Sequence, residues 1–251
     1  GKAMGIAGAG NSGTALAALF APGLAAIFGW NDVFGLALIP LAIVFVLYLV
    51  LAKDAPNCPP PQPFSEYFKI LRDKDAWWFM FFYAVTFGGF SGLASSLAIY
   101  FNAQYGHDPK TAGYFTAGCV FAGSLVRPLG GAVADRVGGV KSLSVMYVLA
   151  AVFLAIVSIG MPTVWICAGV FVCAMLALGM GNGAVFQLVP QRFRREIGVM
   201  TGLVGMAGGI GGFYLASSLG YSKQATGSYQ TGFLIFAALA MLVTLAGITG
   251  V

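Results

Sequence analysis

Eight long apolar runs, separated by short polar connectors, constrain this chain more than any other feature of its sequence. A helix needs about 20 mostly apolar residues to cross the hydrocarbon core of a bilayer, whereas the strands of a membrane β-barrel alternate in hydrophobicity over about ten residues. The runs show no such alternation. They therefore predict an all-α, polytopic membrane helix bundle with eight transmembrane helices. The predicted spans are residues 3–28, 32–52, 77–101, 111–134, 141–160, 163–189, 197–220 and 230–250.

The composition supports a lipid environment. Charged residues make up 8% of the chain and hydrophobic residues 59%, and the mean hydropathy is +0.88. Soluble domains carry about 25% charged residues because their surfaces face water. The 36 glycines fit the same interpretation, since small residues let membrane helices approach closely.

The basic residues lie almost entirely on one side of the predicted membrane. With residue 1 on the cytoplasmic side, ten of the 13 fall on that side, only Lys110 and Lys223 on the other, and Arg127 on neither. Such an excess marks cytoplasmic loops, so we expect the residue 1 end and the connector 53–75 to be cytoplasmic and the protein to lie in the inner (plasma) membrane. The net charge of +5 therefore does not indicate a nucleic-acid partner. The ten are Lys2, Lys53, Lys69, Arg72, Lys74, Arg136, Lys141, Arg192, Arg194 and Arg195.

The residue types argue against an enzyme. The four cysteines lie apart, with neither C-x-x-C nor Cys/His spacing, and are interpreted as small hydrophobic residues. His107, the single histidine, falls in a polar connector. We expect no metal site, no cofactor and no catalytic residues, because no nucleophile, metal cluster or cofactor motif is present.

The stretch "FAGSLVRPLGGAVADRVGG" places Arg127 inside an apolar run, eight residues before Asp135. At about 1.5 Å per residue, Arg127 lies about 12 Å inside the helix end. A charge buried in a membrane span costs at least about 2.5 kcal/mol and indicates function by default. All eight acidic residues map to connectors or helix ends, so the sequence predicts a site for a small, flat anion. A structural arginine paired with backbone carbonyls is the alternative. Pro128 predicts a kink here.

Three further patterns have both a functional and a structural interpretation. The runs "GIAGAGNSG" and "GLVGMAGGIGG" align at an offset of 198 residues, which indicates either a repeat lining a substrate path or ordinary close helix packing. Asn182 and Gln187 lie in one span, where amides line a cavity or form interhelical hydrogen bonds. Tyr83 and Phe87 lie one helical turn apart. An aromatic pair at this spacing belongs to a binding site, packs in the core or faces lipid.

At these residues the chain resembles a known family. "GGAVADRVGG" resembles the Gly-x-x-x-Asp-Arg-x-Gly motif of the major facilitator superfamily, with Gly131, Asp135, Arg136 and Gly138 as the cytoplasmic gate motif. The glycine runs resemble the nitrate signature motifs on the fifth and eleventh helices of the superfamily's nitrate/nitrite porter branch. The matching residues are Gly5, Gly8, Gly10, Asn11 and Gly13 in the first run and Gly205, Gly208, Gly209 and Gly211 in the second.

The resemblance covers essentially the whole chain and makes its eight spans helices five to twelve of the family. It implies that residues 1–52 are the last two helices of the first half, residues 53–75 the cytoplasmic loop between halves, and residues 76–251 the second six-helix half. We therefore expect the chain to be part of a longer protein. The opening "GKAMGIAGAG", inside an apolar run and without an initiator methionine, agrees with this expectation.

The resemblance also implies the substrate-binding residues. Arg127 corresponds to the arginine of helix eight, one of two that grip the anion in this family. Tyr83 and Phe87 resemble helix-seven residues that hydrogen-bond to nitrate and stack on it, and Asn182 resembles the asparagine of helix ten.

The implied function is transport of nitrate and nitrite across a lipid bilayer by alternating access, by a monomeric full-length protein without cofactor. Exchange of nitrate for nitrite is favoured over proton symport, because nothing that titrates near neutral pH lies mid-membrane in these spans. The alternatives are a superfamily transporter of another small anion, such as a carboxylate, and a membrane sensor that does not transport.

Overall fold

The computed structural model describes residues 6–53 and 64–250, which form ten α-helices and one 3-10 turn at Ala9–Asn11, with no strand among them. The all-α prediction is confirmed. In chain order the helices are α1 (Ser12–Phe28), α2 (Trp30–Leu51), α3 (Phe64–Ile70), α4 (Lys74–Tyr105), α5 (Pro109–Leu125), α6 (Arg127–Val137), α7 (Gly139–Ser158), α8 (Val164–Arg192), α9 (Ile197–Thr226) and α10 (Gln230–Gly250).

Seven stretches of the described chain are long and apolar enough to cross a membrane, and they match the first seven predicted spans within a few residues. Helices α5 and α6 together form one of them. The eighth predicted span is α10, in which Gln230–Leu245 is a shorter apolar helix. The short helix α3 lies in the predicted connector 53–75; residues 54–63 of that connector, with Cys58, lie outside the described residues.

The core lies among α4 to α10, whereas α2 has no buried residue. Helix α4 is central, with an aromatic cluster at one end, in which the Tyr100 ring packs edge-on against Phe171 at 5.4 Å and Phe233 at 5.5 Å. Its N-terminus is capped by Asp73, whose Oδ1 accepts the Asp75 N–H at 3.0 Å. Helix α5 is capped in the same way by Asp108, and hydrogen bonds from Thr111 lower the pKa of that exposed carboxyl.

Glycines bring the backbones of neighbouring helices into direct contact around the middle of the bundle. A Cβ on Gly183 of α8 would lie 2.5 Å from the Arg127 carbonyl oxygen of α6, and one on Gly123 of α5 would lie 2.7 Å from the Met175 carbonyl oxygen of α8. Any larger residue would push these helices apart. These close backbone contacts fix the position of the start of α6 against α8.

Candidate functional site

A break between α5 and α6 places Arg127 in the middle of a membrane span. Val126 forms a turn between the two helices, and Arg127 is the first residue of α6. Pro128 has no N–H to donate to the carbonyl four residues earlier, and the helix restarts with the Leu129 and Gly130 N–H groups both bonded to the Val126 carbonyl. The helix is thus interrupted next to Pro128, where a kink was predicted, with Arg127 itself in helical conformation.

The Arg127 side chain is buried, with 2% of the residue exposed. Its Nη1 donates to the Gly8 carbonyl oxygen at 2.9 Å. The Asn11 amide lies beside it; with its oxygen turned to the guanidinium, that oxygen accepts from Nη2 at 3.2 Å and from Nη1 at 2.5 Å. Nε has no partner, and among the described residues no carboxylate pairs with Arg127.

A 3-10 turn explains why the Gly8 carbonyl is available. In a regular α-helix this oxygen would accept the Ser12 N–H, but that N–H bonds to the Ala9 and Gly10 carbonyls instead. A Cβ on Gly8 would lie 3.0 Å from Arg127 Nη1, so glycine lets the guanidinium reach the backbone. The first signature run therefore contributes a carbonyl and an amide to the arginine.

Aromatic rings of α4 form the wall opposite these acceptors. Tyr83, Phe87 and Phe90 share one face at i, i+4 and i+7. The guanidinium carbon lies 5.2 Å from the Phe87 ring centroid and 4.9 Å from that of Phe90, within range of cation–π attraction. Tyr83 stacks parallel to Phe87 at 5.1 Å, and its hydroxyl lies close enough to Arg127 to interact with the guanidinium electrostatically.

Helix α8 brings Phe186 to the site, and Asn182 lies one helical turn before it. The half-buried Phe186 ring packs edge-on against Tyr83 at 4.8 Å. Asn182 is 1% exposed, and neither its Oδ1 nor its Nδ2 has a hydrogen-bond partner. A buried amide without partners is costly and calls for an explanation. Of the two interpretations that the sequence left open, the interhelical hydrogen bond is not formed by this amide within the described chain.

The second signature run packs half of its glycines against the site. A Cβ on Gly208 would lie 2.7 Å from ring atoms of both Tyr83 and Phe87, and Gly211 lies against the Ala84 backbone of α4. Gly205 and Gly209 have no atom within 4 Å of a built Cβ. Only one side of this run therefore packs against α4, and the missing side chain of Gly208 leaves room for the rings of Tyr83 and Phe87.

The first run differs from the second. Gly8 contacts Arg127, whereas Gly10 and Gly13 have open space around a built Cβ within the described chain. Gly5 lies outside the described residues. Close packing therefore accounts for some members of each run, and a substrate path along the others stays a prediction.

The gate motif forms the turn between α6 and α7. Gly138 has φ +95°, a conformation that side-chain-bearing residues rarely adopt, while Asp135 and Arg136 are exposed. Gly131 is buried, with its N 2.5 Å from a Cβ built on Gly183. The role of these residues as a cytoplasmic gate stays a prediction.

Sequence reasoning missed two features of this site and one ion-pair cluster outside it. Phe90 and Phe186 were not assigned to it, although the i+7 spacing of Phe90 from Tyr83 would have indicated the former. Asn11 was assigned to the signature but not to Arg127, which lies more than a hundred residues away in sequence. Arg192 was counted only for orientation, yet it pairs with Asp75 in the first turn of α4 and with Asp73, the N-cap of that helix.

The sequence profile of the Major Facilitator Superfamily matches residues 1–216. Among similar proteins, the "Nitrite extrusion protein" of Bacillus subtilis is 32% identical over 238 residues, which cover 94% of this chain and 60% of that protein. The "Probable nitrate transporter NarT" of Staphylococcus carnosus is 35% identical over 246 residues, 96% and 62% of the two chains. The "Probable nitrate/nitrite transporter NarK2" of Mycobacterium tuberculosis is 32% identical over 251 residues, again 96% and 62%.

The chain thus spans about 60% of the length of the curated relatives that it matches. Their names describe transport and not an enzymatic reaction, and the similarity confirms the resemblance inferred from the glycine runs and the Asp-Arg motif. With seven stretches able to cross a membrane and a profile match over most of its length, this multi-pass membrane protein belongs to the major facilitator superfamily.

Proposed function

We propose that the protein transports nitrate and nitrite across the membrane by alternating access, with the anion bound at Arg127. The names of its relatives supply the substrate class. The observation that carries the proposal is the burial of Arg127 without a carboxylate partner among the described residues.

The partners of Arg127 leave its charge uncompensated. The Gly8 carbonyl and the Asn11 amide orient the guanidinium but are neutral. A buried charge needs compensation as well as hydrogen bonds. A small anion beside the guanidinium supplies it, and transport then requires only that the anion be released on either side.

The groups around Arg127 suit a flat oxyanion. A guanidinium presents donors in a planar fork that matches such an anion, and Nε is without a partner. Tyr83 and the Asn182 Nδ2 supply neutral donors. Phe87 contacts the guanidinium in this structure; its stacking on bound nitrate is part of the proposal.

Exchange is the favoured mode of coupling. Of the buried polar and charged residues described, Arg127 alone is charged at neutral pH, and the others are Ser, Thr, Asn and Gln. A proton-coupled carrier needs a group that gains and loses a proton during the cycle, and neither a carboxyl nor an imidazole is buried in this part of the chain. Nitrate entering in exchange for nitrite needs no such group.

The wider architecture is proposed from the same family. Residues 1–52 would belong to one half, residues 53–75 to the cytoplasmic loop, and residues 76–251 to the other half of a monomeric transporter. The glycine faces would let helices tilt during rocking, with Asp135 and Arg136 in a cytoplasmic latch.

The test uses the full-length protein in proteoliposomes. Labelled nitrate uptake is followed with and without internal nitrite, and with and without a pH gradient. Uptake that requires internal nitrite and ignores the pH gradient is expected. Uptake driven by the pH gradient alone would replace exchange with proton symport, and uptake of a small carboxylate instead of nitrate would overturn the substrate assignment.

A further inference from the structure

Two aromatic rings of α4 share the guanidinium of Arg127, and they differ in what else they can contact. The guanidinium carbon lies 4.9 Å from the Phe90 ring centroid and 5.2 Å from that of Phe87. Phe90 is 2% exposed, whereas Phe87 is half-buried. Phe87 therefore retains surface that a ligand can contact, and Phe90 has almost none.

The position of Phe90 is set by the close approach of α5 to α4 and α8. A Cβ built on Gly123 of α5 would lie 2.8 Å from Phe90 Cε2 and 2.7 Å from the Met175 carbonyl oxygen of α8. The Phe90 ring thus occupies the space that the missing side chain of Gly123 leaves. It also stacks on Phe87, with centroids 6.3 Å apart and an angle of 25° between the rings. A ring enclosed in this way has little room to move.

The attraction between the Phe90 ring and the guanidinium lies at the strong end of the range for such contacts. A cation over an aromatic face is held most strongly where water is excluded, and Arg127 is 2% exposed. Among the described residues no carboxylate pairs with Arg127. The negative faces of the two rings therefore add to the Gly8 carbonyl and the Asn11 amide in stabilising its charge.

The face of Phe87 cannot serve the guanidinium and an anion together. The proposed function places nitrate against this ring, whereas in this structure the guanidinium contacts it. The negative face of an aromatic ring attracts a cation and repels an anion. Stacking of an anion on Phe87 therefore requires that the guanidinium leave that ring, which costs least when a second ring still holds the cation. Phe90 is that second ring.

We propose that Phe90 is a positioning residue for the anion site: its ring holds the guanidinium of Arg127 and leaves the face of Phe87 to the anion. This inference rests on the proposed function, because it assigns the two rings different partners in the anion-bound protein. Without the attraction of Phe90, the guanidinium moves onto Phe87, and the anion has to compete with it for that ring. The anion affinity then falls although every group that touches the anion is still present.

Fluorination of the two rings, one at a time, tests this division in the full-length protein. Trifluorinated phenylalanine is close to phenylalanine in size, but its fluorines withdraw electrons and weaken the negative ring face. In place of Phe90 it is expected to weaken nitrate binding about tenfold, because the cation–π attraction is lost. In place of Phe87 it is expected to leave nitrate binding unchanged or to strengthen it, because the ring then repels the anion less. The Kd is measured from the nitrate-dependent thermal stabilisation of the purified protein.

Phe101 provides the matched control. It is fully buried in the same helix and packs against other aromatic rings, such as Phe171 at 5.9 Å, so its fluorination should leave the Kd for nitrate unchanged. Phe90→Leu, which keeps an apolar side chain without a ring face, should weaken nitrate binding at least as much as fluorination does. Unchanged nitrate binding with a fluorinated ring at Phe90, or an equal loss with one at Phe87, overturns the proposal.

A double-mutant cycle in nitrate-free protein decides the inference even if the protein does not bind nitrate. The effect of fluorinating Phe90 on the melting temperature is compared between the wild-type and Arg127→Gln backgrounds. Fluorination is expected to lower the melting temperature only when the arginine is present. Such coupling in a protein that does not bind nitrate would refute the proposed function alone, whereas equal effects in both backgrounds refute the positioning role of Phe90.

Discussion

Replacement of Arg127 by lysine tests the planar fork separately from the charge. Lysine keeps one positive charge but not the second arm that reaches Asn11 at 3.2 Å, nor the flat group that lies over Phe87 and Phe90. Lysine also presents no planar fork, so a bound anion loses at least one of the two hydrogen bonds proposed from the guanidinium, each worth about 1.5–3 kcal/mol. A loss of about 3 kcal/mol in anion binding is therefore expected, which corresponds to roughly 100-fold weaker affinity.

Nitrate-dependent thermal stabilisation of the purified full-length protein measures this loss without transport. At a nitrate concentration 100 times its Kd, the wild-type protein gains about 2.7 kcal/mol, whereas a variant that binds roughly 100-fold more weakly gains about 0.4 kcal/mol. Arg194→Lys, at an exposed arginine, is the control and should match the wild type. Equal stabilisation of Arg127→Lys and wild type would refute the bidentate role and leave only a charge requirement.

Three further substitutions test two other residues of the site and the turn between α6 and α7. Gly208→Ala should weaken nitrate affinity about tenfold, because its Cβ meets the ring of Tyr83 at 2.7 Å. Gly209→Ala, whose Cβ has no atom within 4 Å, is the matched control and should keep the wild-type affinity. Equal nitrate affinities of the two variants would contradict this prediction. Asn182→Leu should keep or raise the melting temperature, because the Asn182 amide has no hydrogen-bond partner among the described residues. The same variant should bind nitrate about tenfold more weakly. A lower melting temperature with unchanged nitrate affinity would assign Asn182 a structural role instead. Gly138→Ala should destabilise the protein by about 1–3 kcal/mol through strain at φ +95° with an unchanged KM, as followed by thermal unfolding.

The helices were predictable because lipid imposes a simple length and polarity rule. Each connector that ends a predicted span also ends a helix, as at Gly138 and Gly106, both with positive φ. The sequence also located Arg127, since a lone charge in an apolar run is visible without any structure. What it could not provide was the direction in which each side chain points within a helix that is apolar on every face.

Partners within the site were harder to predict for the same reason. Asn11 and Arg127 lie far apart in the chain, and no periodicity in either segment indicates that they meet. Glycines are a further example: Gly208 and Gly209 are identical in type and adjacent, yet one abuts two aromatic rings and the other faces open space. Only the packing of α9 on α4 distinguishes them.

The two interpretations of Arg127, as an anion ligand and as an arginine bonded to backbone carbonyls, do not exclude each other. The Gly8 carbonyl and the Asn11 amide orient the guanidinium without cancelling its charge. A carboxylate in their place would form a buried ion pair, and an incoming anion would then have to break that pair. Neutral acceptors avoid this competition, so an arginine bonded to them keeps the charge that the proposed anion needs. The structural bonds to the first signature run are therefore a requirement of the proposed binding role, because without them a mobile arginine would pair with whichever acceptor lay nearest.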